Sequence, residues 1–244
     1  MSTRVLRIGG LSLILAGLSA VGYGVNEVWI TDIRAEHAQE QLAAEFDQNL
    51  ATANTTTLAI AAQDDPTVGS TSSPTTVPAE RPGIITETAP ALGEPLAKLY
   101  IPVAGVNGIM VEGVETDQLA LGPGHMPGTA LPGQPGNAVI SGHRTTHGAP
   151  FRNIDKLAPG DRISVETLIG LHMYEVVQVL IVAPDALWVT NQVDGAWLTL
   201  TTCNPPGSAR ERLIVFAKLI WGPNYQVISH TLIGDEAPPR APVG

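Results

Sequence analysis

From Leu96 to Trp221 the chain is cut into short runs, and this segmentation limits its fold more than any other feature. AKLYIP, VNGIMVEG, GNAVISGH, DRISVETL, HMYEVVQVLIV, ALWVT, WLTLTTC and RLIVFAKLIW are rich in Val, Ile, Leu and Thr, and Gly, Pro, Asn or Asp stops them. Tyr174, Val176, Gln178 and Leu180 alternate in sequence, as a half-buried strand requires. Roughly eight strands in about 125 residues predict an all-β domain with short helices, closed into a barrel. Glu112–Gly136 and Ala149–Leu157 read as irregular or short helical connections. The composition agrees: 25 Gly, 20 Pro and only 15% charged residues do not suit a helical bundle.

Upstream the character changes three times. Arg4 and Arg7 precede a nearly uncharged apolar run, Ile8 to Val25, and Glu27, Asp32 and Glu36 follow it. With its flanks the run reaches the about 20 residues that cross a bilayer as a helix. The charge asymmetry places the amino terminus in the cytoplasm and the rest outside. Against a cleaved signal peptide, the run exceeds the usual ~7–15 residue core and no small-x-small site closes it. The sequence thus predicts a cytoplasmic N-terminus and anchor over 1–30, a single-pass membrane location and an extracytoplasmic domain. Residues 31–50 are rich in Ala, Glu and Gln, with Leu42, Phe46 and Leu50 four apart, and predict a juxtamembrane helix. Residues 51–95, dominated by Thr, Ser and Pro, predict a flexible stalk. The main domain then covers 96–222, and 223–244 reads as a frayed tail.

A net charge of −10 without a basic stripe excludes a nucleic-acid partner. The single cysteine, Cys203, rules out an internal disulfide and is exposed to oxidants if the chain is exported. It ends the run WLTLTTC just before Asn204-Pro205-Pro206-Gly207, where a barrel presents side chains at its rim. A buried, inert thiol is the competing reading, because reactivity needs cationic or imidazole neighbours. His143, past another strand end in VISGHRTTHGAPF, supplies a candidate: in a Cys–His pair sulfur attacks a carbonyl and the imidazolium protonates the departing amine. His143 and His147 also stand at i, i+4, but Gly142, Gly148 and Pro150 argue against the helix a zinc site of that spacing needs, and no third ligand is evident. No metal or cofactor is expected. Arg210 and Arg212 open the last strong run, and either is a candidate oxyanion donor. If the last strand lies beside the cysteine strand, Arg212 points toward Cys203.

TLTTC (Thr199 to Cys203), with Arg212 nine positions after the cysteine, resembles the sortase signature. GNAVISGHR, EGV at Glu112 to Val114, GPGHMPGTALPGQPGN at Gly122 to Asn137, APF at Ala149 to Phe151 and LAPGDRISVET at Leu157 to Thr167 match in order. The resemblance covers about Leu96 to Trp221 and is most like the class E housekeeping sortases, with class D and pilin-type class C as other placements. It implies an eight-stranded sortase β-barrel and cleavage of a C-terminal sorting signal between Thr and Gly through a thioester on Cys203. The acyl group then passes to a peptidoglycan-precursor amine. His143 is implied as acid/base and Arg212 as oxyanion and substrate support, with Thr202 among the substrate contacts. Met126 stands where class E often has a tyrosine linked to signal preference, and so is a substrate-binding candidate. Both Leu-Ala-x-Thr-Gly and Leu-Pro-x-Thr-Gly signals stay open. Asn204 stands where the class often has histidine. The rival readings are a non-catalytic sortase-like domain that binds signal peptides or scaffolds envelope proteins, and a hydrolytic cysteine peptidase, which would need an Asn or Asp orienting the His.

Overall fold

A computed structural model describes residues 30–53, 83–231 and 237–241, together with Gly17. Apart from Gly17, the apolar run Ile8 to Val25 lies outside the described residues, as does the Thr/Ser/Pro-rich part of the predicted stalk, 54–82. Among the described residues no helix is long and apolar enough to cross a membrane.

Eight strands close a barrel in the order β1-β2-β3-β4-β7-β8-β6-β5. They are β1 (Pro95–Ile101), β2 (Val106–Glu112), β3 (Gly124–His125), β4 (Gly136–Ser141), β5 (Arg162–Thr167), β6 (Gly170–Val182), β7 (Ala196–Asn204) and β8 (Glu211–Trp221). The β2–β3 and β4–β7 pairs are parallel, and the β1–β5 pair closes the ring. Period-two alternation sorts the side chains: Leu198 and Leu200 of β7 and Leu213, Val215 and Ala217 of β8 join the central core. Ile214 and Phe216 turn outward and form a separate cluster with Val189.

Two of the sequence expectations moved. ALWVT, expected as a strand, is instead a 3-10 turn at Leu187–Thr190 in the β6–β7 connection. Its Trp188 and Val189 cover Ile214 and Phe216 on the outer face, and the buried Asn137 amide fixes the turn by donating to the carbonyls of Val189 and Asn191 at 3.0 and 3.2 Å. Conversely, Gly124–His125, expected within an irregular connection, is a strand. A Cβ at Gly124 would stand 2.1 Å from the Gly113 carbonyl oxygen, so only glycine permits that close pairing.

Residues 30–53 are helical (α1), and α1 lies against the barrel. Leu42 and Phe46 are buried with Ile109 and Val111, and the Gln39 amide bonds the backbone of Ile109 and Leu121. A four-residue helix, α2 (Thr116–Leu119), follows β2. At the other end, Tyr225–Thr231 of the predicted tail forms α3, with Ile228 in the core. Asn224 there is fully buried; it accepts from the Ile85 amide and donates to the carbonyls of Ile85 and Gly133. This ties 83–94, the last part of the predicted stalk, to the barrel.

Candidate active site

The sheet order puts β7 between β4 and β8, so the chain segments bearing His143, Cys203 and Arg212 are neighbours in space. In the antiparallel β7–β8 ladder Cys203 lies directly opposite Arg212. Both are half-buried and turn to the outer face, because Thr202 and Leu213, the next pair along, turn inward. Arg210 is exposed and precedes β8; its amide donates to the Ser208 hydroxyl. The register therefore distinguishes the two arginines that the sequence left open. Arg212 Nη1 donates to the carbonyls of Ala209 and Glu211 at 2.9 and 3.0 Å, which leaves Nε and Nη2 to point elsewhere.

On the other side, parallel pairing of Ser141 with Thr201 ends β4 level with the last turn of the ladder. The Gly142 amide still donates to Thr201 O at 3.2 Å, and the Thr202 hydroxyl donates to Gly142 O at 2.7 Å. His143 thus starts its loop beside Cys203. Thr202 itself is 3% exposed, and its hydroxyl is engaged on the histidine loop rather than on the outer face. Met126 is half-buried after β3, with its amide on Val139 O. The neighbouring His125 forms a buried pair with Glu112 at 2.7 Å, so the EGV and GPGH motifs meet as structural partners.

The histidine loop is tightly held. A Cβ at Gly142 would come within 2.6 Å of the Phe151 ring, and the Phe151 amide donates back to His143 O at 3.0 Å. His147 and Ala149 take positive φ, 53° and 45°, uncommon for residues with a Cβ. The His143 and His147 rings stack at 4.8 Å. On its far side the loop meets α1, where Asp32 accepts from the Gly148 amide at 2.8 Å. Burial, and secondarily the adjacent His147, lowers the pKa of His143 below the ordinary histidine value. Among the described residues its Nε2 is buried without a hydrogen-bond partner, as is Nδ1 of His147. Sequence reasoning passed over Arg144, which is 5% exposed and donates through Nη1 to Asn204 Oδ1 at 2.6 Å and to Cys203 O at 3.4 Å. Nothing in one sequence marks an arginine beside a histidine as buried.

The Sortase domain family model matches residues 99–220, half of the chain. The chain belongs to the sortase family. Sortase SrtE1 of Streptomyces coelicolor is 35% identical over 144 residues, which cover 52% of this sortase and 41% of that protein. Sortase D of Bacillus subtilis is 34% identical over 135 residues, covering 54% and 67%. Thus the sortase spans less than half the length of SrtE1 and about two thirds of Sortase D. The crystal structure of Sortase E1 from Streptomyces coelicolor, with a tripeptide in its active site, superposes with a TM-score of 0.51 at 35% identity, over 55% of this chain and 92% of that one. The family match lies within the barrel, and the relatives include both class E and class D sortases.

Proposed function

We propose that this sortase is a membrane-anchored cysteine transpeptidase that cleaves a C-terminal sorting signal between Thr and Gly and passes the acyl group to a cell-wall amine. The observation that carries the reading is the placement of the Cys203–Arg212 cross-strand pair next to the loop that begins at His143. A tripeptide in the active site of the related Sortase E1 supports a peptide substrate.

With its pKa lowered by burial, the resting His143 imidazole is neutral at pH 7 and takes the thiol proton. Sulfur of Cys203 attacks the threonine carbonyl carbon, and the C=O electron pair moves to oxygen, where the Arg212 guanidinium donates to it. Collapse of the intermediate breaks the C–N bond, and the His143 imidazolium protonates the departing glycine amine. A second amine then attacks the thioester carbonyl and gives its proton to His143; the C–S bond breaks as the new amide forms, and His143 returns that proton to the Cys203 thiolate. The predicted anchor over 1–30 and stalk over 51–95 would hold the domain near two membrane-bound substrates and raise their effective concentration.

Incubating the purified full chain with a quenched Leu-Ala-x-Thr-Gly or Leu-Pro-x-Thr-Gly peptide and triglycine tests this. Mass spectrometry should find a ligated product with the native protein and none with Cys203→Ala. Products from water attack alone, with triglycine saturating, would instead assign a peptidase; cleavage by Cys203→Ala would exclude the cysteine mechanism.

A further inference from the structure

Each of the three site residues has an immediate chain neighbour in a single connected set of polar side chains. Arg144 follows His143, Asn204 follows Cys203, and Glu211 precedes Arg212. Arg144 Nη1 donates to Asn204 Oδ1 at 2.6 Å, and Asn204 Nδ2 donates in turn to Glu211 Oε2 at 2.7 Å. Behind them, Arg144 Nη2 faces the Asp155 carboxylate at 3.2 Å, Nε reaches Arg152 O at 3.5 Å and Nη1 reaches Cys203 O at 3.4 Å. The set occupies the edge where the regular ladders stop: β4 ends at Ser141, β7 ends at Asn204 and β8 begins at Glu211.

We propose that Arg144, Asn204 and Glu211 are positioning residues that clamp His143, Cys203 and Arg212 into one geometry. The inference rests on the transpeptidase reading of those three. Asn204 is the centre of the clamp because an amide is both acceptor and donor: its oxygen takes the guanidinium and its nitrogen gives to the carboxylate. A side chain that only accepts or only donates can hold one neighbour but not both. Arg144 is buried, so its charge is tolerated only while its partners are in place, and this makes the arrangement all-or-none rather than gradually adjustable. Proton transfer between sulfur and imidazole depends on a fixed separation; the β7–β8 ladder holds Cys203, but the β4 ladder ends at Ser141, short of His143.

The test uses the full chain in four forms: native, Asn204→Ala, Glu211→Ala and Glu211→Gln. Removing the buried Arg144 would leave a cavity and take the donor from Asn204 Oδ1 and Cys203 O, which risks the fold, so the amide and carboxylate variants carry the test. Cleavage of the quenched Leu-Ala-x-Thr-Gly peptide in the presence of triglycine gives kcat and KM, and iodoacetamide alkylation of Cys203 reads the site without any peptide. The clamp predicts that kcat falls about ten- to a hundredfold in Asn204→Ala and Glu211→Ala with KM nearly constant, as expected when reacting groups are misplaced and binding is not. Glu211→Gln, which keeps an acceptor oxygen for Asn204, should retain most of the native kcat. Alkylation should slow in Asn204→Ala, because thiol reactivity depends on its basic neighbour. Native kcat in Asn204→Ala, or equal losses in Glu211→Gln and Glu211→Ala, overturns the clamp. If the native chain cleaves no sorting peptide, the transpeptidase reading fails by itself and alkylation decides the clamp: slower in Asn204→Ala supports it, unchanged or faster overturns it.

Discussion

Cys203 and Arg212 face each other across the β7–β8 ladder, and Arg212 is steadied there by two backbone carbonyls through one nitrogen, Nη1. Nε and Nη2 of its planar fork make no bond to those carbonyls, and in the proposed reaction they are the donors for the oxyanion. Lysine would keep the charge but has a point donor instead of a fork. Arg212→Lys should lower kcat about 100- to 1000-fold, the size of a lost oxyanion donor, with the thermal unfolding midpoint nearly unchanged because the side chain is half-exposed. Steady-state kinetics and calorimetry on the same preparation check both halves.

Thr202 has a different part. Its hydroxyl is buried and joins β7 to the start of the histidine loop through Gly142 O. Thr202→Val leaves that carbonyl without its donor and should cost about 1–3 kcal/mol of stability. Thr202→Ser restores the hydroxyl and should recover most of it. Urea unfolding of the three forms measures this.

The barrel was legible because its strands carry their own punctuation and alternation; Leu198/Leu200 and Leu213/Val215 face the core as a period of two requires. ALWVT was misread since a run of apolar residues looks alike whether it forms a strand or covers one, and here it covers Ile214 and Phe216. Gly124–His125 was missed because a two-residue strand has no periodicity to detect. Cys203, His143 and Arg212 stood out by residue type and by strand-end position, whereas Arg144, Asn204 and Glu211 act through a contact order that only folding creates.

Gly142 carries the histidine loop over the Phe151 ring with no room for a methyl group, the nearest ring carbon being 2.6 Å from where a Cβ would lie. Gly142→Ala must therefore shift the loop. The expected result is a loss of roughly a hundredfold in kcat, since a displacement near 1 Å is enough for that. Loss of the ligated product in a time course, at unchanged KM, checks it.

The half-buried Glu87 and the buried His172 pull stability in opposite directions with pH. Burial raises the Glu87 carboxyl from 4.5 to about 7, and burial lowers His172 from 6.5 to about 4; Thr167 bonds both. Glu87 holds its proton more tightly folded than unfolded, so its contribution is full below pH 4.5 and is lost as pH rises toward 7. His172 binds its proton less tightly folded, so its contribution is present above pH 6.5 and is lost as pH falls toward 4. Relative to the native chain, Glu87→Gln should show a steeper rise of stability from pH 4.5 to 6.5, and His172→Gln a fall over the same interval. Urea midpoints at several pH values measure the slopes.

Phe46 is fully buried between α1 and the barrel, with the Lys98 ammonium 5.5 Å from its ring. Phe46→Ala should remove about 3–5 kcal/mol of packing. Amide hydrogen exchange should then rise along 30–53 and remain slow in β7 and β8, which share none of this contact.

The central claim is that the Cys203 sulfur becomes acylated by a peptide that His143 and Arg212 help to open. Acid-quenching the full chain during turnover with a sorting-signal peptide, digesting it and mapping the adduct by mass spectrometry tests that claim most directly. The account predicts an acyl mass ending in threonine on the peptide containing Cys203, discharged by triglycine and nearly absent in His143→Ala. Turnover with no adduct on Cys203, or an adduct that triglycine does not discharge, would contradict it.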